Sequence, residues 1–170
     1  VDSAWKRDRL EELRLSMQSR YQRFGDLAYL LEPDIKEARG GLRDINALRA
    51  INRNGAIQIE VENLDELERS LLDVRDSLHK VSGRNKDQLL FQEQDKVAAD
   101  LKLIDADELM SQVSSIARTI DYQSNVAWHK YDNRRTFSFR RNKATSVDRN
   151  IGVLNHEVII ESIDPNVGMR

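Results

Sequence analysis

Apolar residues recur at intervals of three and four along much of this chain, and that spacing predicts helices. Leu10, Leu13, Met17, Tyr21 and Phe24 set one apolar stripe on a helix from about Ser3 to Phe24, and Gly25 ends it. Ala28-Tyr29-Leu30-Leu31 is a short apolar run between that glycine and Pro33. Its length and the following proline predict a buried extended piece. Leu42, Ile45, Leu48 and Ile51 define a short helix ending near Gly55. Ile57-Gln58-Ile59-Glu60-Val61 alternates at period two and reads as an extended connector. Leu67, Leu71, Val74, Leu78 and Val81 then hold one face up to Gly83, with Asn63 and Glu66 in capping-box spacing at the start. A shorter helix is expected from Gln92 to about Leu101. After it Asp105 caps a longer one that runs through Leu109, Val113, Ile116 and Ile120 towards Tyr131.

The pattern changes at Arg134. Arg134, Arg135, Arg140, Arg141 and Lys143 crowd together, with Phe137 and Phe139 between them. Ile151 to Leu154 and Glu157 to Glu161 then read as two short strands around Asn155-His156. The expected fold is therefore mainly α: an antiparallel helical bundle with one long C-terminal helix and a short β-hairpin-like tail. The expected division is 1–134, helical, and 135–170, a basic linker and short β tail.

Composition narrows the classes of function. A length of 170 residues suits one domain with a small appendage. The formal net charge of -2 gives no overall reason to expect nucleic acid or a membrane surface as partner. No apolar run approaches the roughly 20 residues of a membrane helix. The absence of cysteine removes disulfides and thiolate zinc sites and fits a reducing, cytoplasmic compartment. A first residue of Val1 rather than Met raises the expectation of a piece of a larger protein.

Catalytic patterns are missing. The chain has no Walker-type glycine loop, no nucleophile elbow and no HExxH. His79, His129 and His156 lie far apart in sequence, and a structural role is the default for each. The basic stretch from Arg134 with its interleaved aromatics has the look of a stacking surface for single strands. A cationic helix end followed by a linker is the preferred reading, since the rest of the chain is acidic and no recognised nucleic-acid-binding module appears.

The segment Lys36 to Asp44 carries the chemistry that remains. Gly40-Gly41 permits close backbone approach, and Leu42-Arg43-Asp44 begins a helix. A helix N-terminus offers free amides and partial positive charge to phosphate or carboxylate, and Lys36, Arg39 and Arg43 add cations. A glycine-enabled turn locked by an Arg–Glu or Arg–Asp pair explains the same residues. Physics alone leaves the two readings even.

Two blocks resemble a known family. Tyr29-Leu-Leu-Glu-Pro-Asp-Ile-Lys36 with Gly40-Gly-Leu-Arg-Asp-Ile45 is similar to the LEPxxKExxGGLRD block of the GlnD family, bifunctional enzymes that add uridylyl groups to the PII signal protein and remove them. Arg75-Asp-Ser-Leu-His79, Ser82-Gly-Arg84, Asp87, Leu89, Phe91, Gln94 and Ala98 resemble its RDxLHxxSGRxxDxLxFxxQxxxA stretch. Glu37-Ala38-Arg39 departs from the Gly-Pro common in the family at that point.

The resemblance implies a helical region between the nucleotidyltransferase domain and the uridylyl-removing HD domain, with neither catalytic pattern in this sequence. It implies a non-catalytic role in nitrogen regulation, packing on the transferase domain and helping to position nucleotide or PII. Expected nucleotide-binding residues are Lys36, Gly40, Gly41 and Arg43. Expected braces are Glu32, Asp44, Arg84 and Asp87. No catalytic or metal-ligating residue is expected here; the parent enzyme would use magnesium with UTP or ATP. The alternatives are a stand-alone helical adaptor, or part of a related glutamine synthetase adenylyltransferase.

Overall fold

The computed structural model describes residues 3–55, 57, 63–139, 145–148, 151–154 and 157–160. The chain divides into two compact units, Val1–Trp128 and His129–Arg170. The mainly α class holds. In order, the helices are α1 (Ser3–Phe24), α2 (Leu42–Asn54), α3 (Leu64–Ser82), α4 (Phe91–Asp100) and α5 (Ala106–Phe139), with a 3-10 turn at Leu27–Tyr29. Three four-residue strands follow: β1 (Thr145–Asp148), β2 (Ile151–Leu154) and β3 (Glu157–Ile160). They pair antiparallel in the order β1-β2-β3, with Val153 opposite both Thr145 and Val158.

The core of the first unit is built from the stripes that the spacing marks out. Leu10 and Met17 of α1, Ile45, Leu48 and Ile51 of α2, and Leu71, Val74 and Leu78 of α3 are buried. Val97 of α4 and Leu109, Val113, Ala117 and Ile120 of α5 complete it. Each fully buried Leu or Ile contributes about 1.5–3 kcal/mol of transfer free energy. The helix ends follow from local chemistry. Gly25, Gly55 and Gly83 take left-handed φ values of 69°, 70° and 63° and close α1, α2 and α3. Asp105 caps α5 by accepting from the Glu108 amide at 2.9 Å, while the Glu108 carboxylate takes the Ile104 amide at 2.7 Å.

Two local expectations are corrected. Asn63 does precede α3, but at φ 55° it is left-handed and makes no side-chain cap; its carbonyl instead accepts the Glu66 and Leu67 amides, both at 3.0 Å. The run Ala28 to Leu31 is not a buried extended piece. Leu27 is the anchor, fully buried in the 3-10 turn, and Tyr29 and Leu31 are 77% and 67% exposed. The connector expected at Ile57 to Val61 falls outside the described residues except for Ile57, which is buried. Of the basic stretch, Arg140, Arg141 and Lys143 also lie outside them.

Apart from its 3-10 turn, the segment 25–41 lacks regular structure, yet it is tied down at both ends. Leu27 donates its amide to the Arg39 carbonyl at 3.0 Å, and Arg39 returns one to Gly25 at 2.9 Å. Ile35 donates to the Asp87 carbonyl at 2.8 Å, and Leu89 to Pro33 at 2.9 Å. Pairing of this kind is what allows buried loop backbone at all.

Candidate functional site

The entrance to α2 uses its amides internally. Gly40 donates to the Asp44 carboxylate at 2.7 Å, and Gly41 to the Ala38 carbonyl at 2.9 Å. Leu42 and Arg43 donate to the carbonyls of Ile35 and Lys36, each at 3.1 Å. The free N–H groups that make a helix N-terminus an anion site are thus engaged by the chain itself. Both glycines are buried, and each is there for space. A Cβ on Gly40 would lie 2.6 Å from the Ala117 carbonyl oxygen on α5; one on Gly41 would lie 2.7 Å from that of Ile35. Gly40 lets the loop press against α5, and Gly41 lets the loop close on its own carbonyls.

Asp44 is the centre of this turn. Its carboxylate, fully buried, pairs with the guanidinium of Arg20 on α1, and Arg20 also donates to the Glu37 carbonyl at 2.6 Å. Burial pushes the Asp44 carboxyl above its ordinary range, and the Arg20 charge and hydrogen bond offset only part of that. The buried Tyr21 hydroxyl is also raised, first by desolvation and then by the Asp44 charge. Nearby, Arg39 clamps Asp121 of α5 with bonds of 2.5 and 3.1 Å and lies over the Tyr21 ring. The Glu37-Ala38-Arg39 departure therefore has structural content: Ala38 is fully buried and Arg39 ties the loop to α5.

A second cluster surrounds Asp87. Arg75 donates to its carboxylate at 2.7 Å, the His79 Nε2 lies 2.9 Å from the same oxygen, and the Lys36 ammonium is 3.6 Å from the other. Burial alone would raise the Asp87 carboxyl, but the bonds from Arg75 and His79 and the charges of Arg75 and Lys36 hold it below the usual range. Arg84, also expected as a brace, is exposed and hydrogen-bonds through its backbone to Ser82. Glu32 caps α4, its carboxylate accepting the Phe91 amide at 2.9 Å.

The family model for the GlnD PII-uridylyltransferase matches residues 8–128. The chain belongs to that family. It is 52% identical over 122 residues to a bifunctional uridylyltransferase/uridylyl-removing enzyme of Streptomyces coelicolor, covering 72% of this chain and 15% of that protein. It is 36% identical over 167 residues to the protein of the same name from Mycobacterium tuberculosis, covering 91% of this chain and 21% of the relative. A third, from Aromatoleum aromaticum, is 36% identical over 102 residues, 52% of this chain and 12% of the relative. The chain thus spans about a fifth or less of the length of the curated relatives it matches. No solved structure gives a significant match.

Placed on the fold, the two GlnD-like blocks meet. Lys36 comes from the first and Arg75, His79 and Asp87 from the second, and the backbone bonds of Ile35 and Leu89 join the same segments. Arg43 is directed elsewhere: it bonds Glu37 at 3.1 Å and lines an open groove of about 540 Å³ between α1 and α2. Arg20, Arg23, Phe24, Asn46 and Ala47 also line that groove. The four residues expected at a nucleotide thus divide into two buried glycines and two surface cations. Sequence reasoning missed Arg20, Arg75 and the bond of His79. The i, i+4 spacing of Arg75 and His79 on one helix face was a usable signal for two of these; nothing local marked Arg20.

Proposed function

We propose that this chain is the non-catalytic helical part of a PII-modifying nucleotidyltransferase, packing on the transferase domain and helping to position the nucleotide or the PII partner. Family membership supports the setting. The observation that carries the nucleotide role is that Lys36 and Arg43 stand 38% and 55% exposed on either side of a turn that is otherwise locked. Their carboxylate partners are Asp87 and the shared Glu37. The cations are the more exposed members of these pairs, with Asp87 and Glu37 at 14% and 19%, so a polyphosphate can reach either cation from the solvent side. Gly40 and Gly41 act one step back, fixing the backbone path that presents both cations. Asp44, Glu32 and Asp87 brace that path.

Among the described residues no group of three or more His, Cys, Asp or Glu could hold a metal ion. Magnesium, with UTP or ATP, is proposed as the cofactor and nucleotide of the parent enzyme. The test is kinetic, in the full-length enzyme. Lys36→Ala and Arg43→Ala, made singly, are expected to raise the nucleotide KM or lower kcat by roughly tenfold, equivalent to about 1.4 kcal/mol. Thermal midpoints should stay unchanged. Wild-type transferase kinetics in both variants would remove the nucleotide role and leave the turn purely structural.

A further inference from the structure

The groove between α1 and α2 has walls that the proposed function uses only through Arg43. Ser16, Ser19 and Arg23 line it from α1, at spacings of three and four residues, and Arg43 and Asn46 line it from α2. All five are exposed. Each carries a hydrogen-bond donor, and the two arginines carry donors alone. Glu37 is the one carboxylate among the lining residues, against Arg20, Arg23 and Arg43. That excess of positive charge stands out in a chain of formal net charge -2. Arg20 is committed to the Asp44 carboxylate and the Glu37 carbonyl, and Arg43 holds the Glu37 carboxylate at 3.1 Å. Arg23 has no such anionic partner among the described residues; its guanidinium lies 5.2 Å from the centre of the Phe24 ring. Leu13 and Ala50 give the groove an apolar side, over a buried floor of Met17 and Ala47.

We infer that this groove binds an organic polyphosphate, with Arg23 and Arg43 holding phosphate oxygens from the two walls and the apolar side receiving the organic part. Arginine stays charged throughout the physiological pH range, and its planar fork matches phosphate with paired hydrogen bonds. Ionised phosphate offers acceptors only, which also suits the hydroxyls of Ser16 and Ser19 and the Asn46 amide. The Glu37 carboxylate, already seated on Arg43, shows that an oxyanion fits at that end of the groove. The volume of about 540 Å³ falls within the roughly 300–1,000 Å³ of small-molecule sites. The inference shares Arg43 with the proposed nucleotide contact and rests on that reading for the class of ligand. It differs in the second cation, which is Arg23; Lys36 lies by Asp87, outside the groove.

Calorimetric titration of the 170-residue chain with UTP, in the absence of metal, tests the assignment. Saturable binding is expected, weakened roughly tenfold by Arg23→Ala and by Arg43→Ala, since each removes a charge-assisted pair of bonds. Lys36→Ala should bind as the wild type does. Ser19→Asp, one helical turn from Arg23 on the exposed face of α1, puts a carboxylate into the groove without removing an arginine, and should weaken UTP to the same degree. Inorganic tripolyphosphate, with nothing to lay on the apolar side, is expected to bind more weakly than UTP, and equal affinity would overturn the organic part of the assignment. Absence of saturable binding to the wild-type chain overturns the inference as a whole. Wild-type affinity in both Arg23→Ala and Ser19→Asp overturns the groove while leaving the nucleotide role of Lys36 and Arg43 standing. Equal weakening by Lys36→Ala and Arg23→Ala moves the phosphates to the turn and overturns the groove too.

Discussion

Gly40 and Gly83 have similar backbone angles, φ 84° and 63°, and opposite surroundings. A methyl on Gly83 meets nothing within 4 Å, whereas one on Gly40 runs into the Ala117 carbonyl at 2.6 Å. Gly83→Ala should therefore cost only the left-handed penalty, about 1 kcal/mol. Gly40→Ala adds backbone overlap that α5 cannot relieve by a rotamer change, and roughly 3–5 kcal/mol is expected. Urea denaturation of both variants checks the contrast; equal losses would mean that α5 yields freely at Ala117. Asp44 belongs to the same scale. A carboxylate with 0% side-chain exposure is tolerable here because Arg20 and the Gly40 amide both reach it. The need for that amide explains why the turn's own donors are turned inward.

Between elements, the Asp87 cluster joins the end of α3 to the loop that feeds α2. Its pH dependence has a definite sign. The folded carboxyl lies below its ordinary 3.8, so the brace stabilises fully above that value and is lost as pH falls through the depressed folded value. The stability difference between the wild-type chain and Asp87→Asn should be constant from pH 7 to about 5 and should shrink below pH 4, as measured by denaturation midpoints. A difference that persists at pH 2 would mean that the carboxylate's charge has no part in the brace. Helices were the part of this scale that spacing could find. The stripe Leu42, Ile45, Leu48, Ile51 became α2, and Gly55 and Gly83 became left-handed helix ends, because a helix repeats locally and glycine acts within one residue of its position. The cap at Asn63 failed for an equally local reason: its left-handed backbone makes no side-chain hydrogen bond to the helix start.

At the scale of the molecule, this chain belongs to the GlnD PII-uridylyltransferase family and spans 15% of the Streptomyces coelicolor relative and 21% of the Mycobacterium tuberculosis one. Alone, incubated with magnesium and either UTP or ATP, it is expected to transfer no nucleotide to PII. Labelled transfer above background would overturn its assignment as non-catalytic. The sequence by itself determined the helical class, much of the helical core and the two blocks that mark the family, since all three are carried by short-range spacing. The fully buried Leu27, Ile35 and Leu89, by contrast, belong to no helical stripe. Only the tertiary structure decided the partners. Arg20 and Asp44 are 24 positions apart, and Arg39 and Asp121 are 82. No periodicity reports which charge another charge will meet at such separations. The run Tyr29 to Leu31 is the plainest case: its composition reads as core, but Leu27 fills the core position and the bonds to α4 hold the rest outward. Whether apolar residues face in or out is settled by the space the neighbouring elements leave, and that space exists only once the chain has folded.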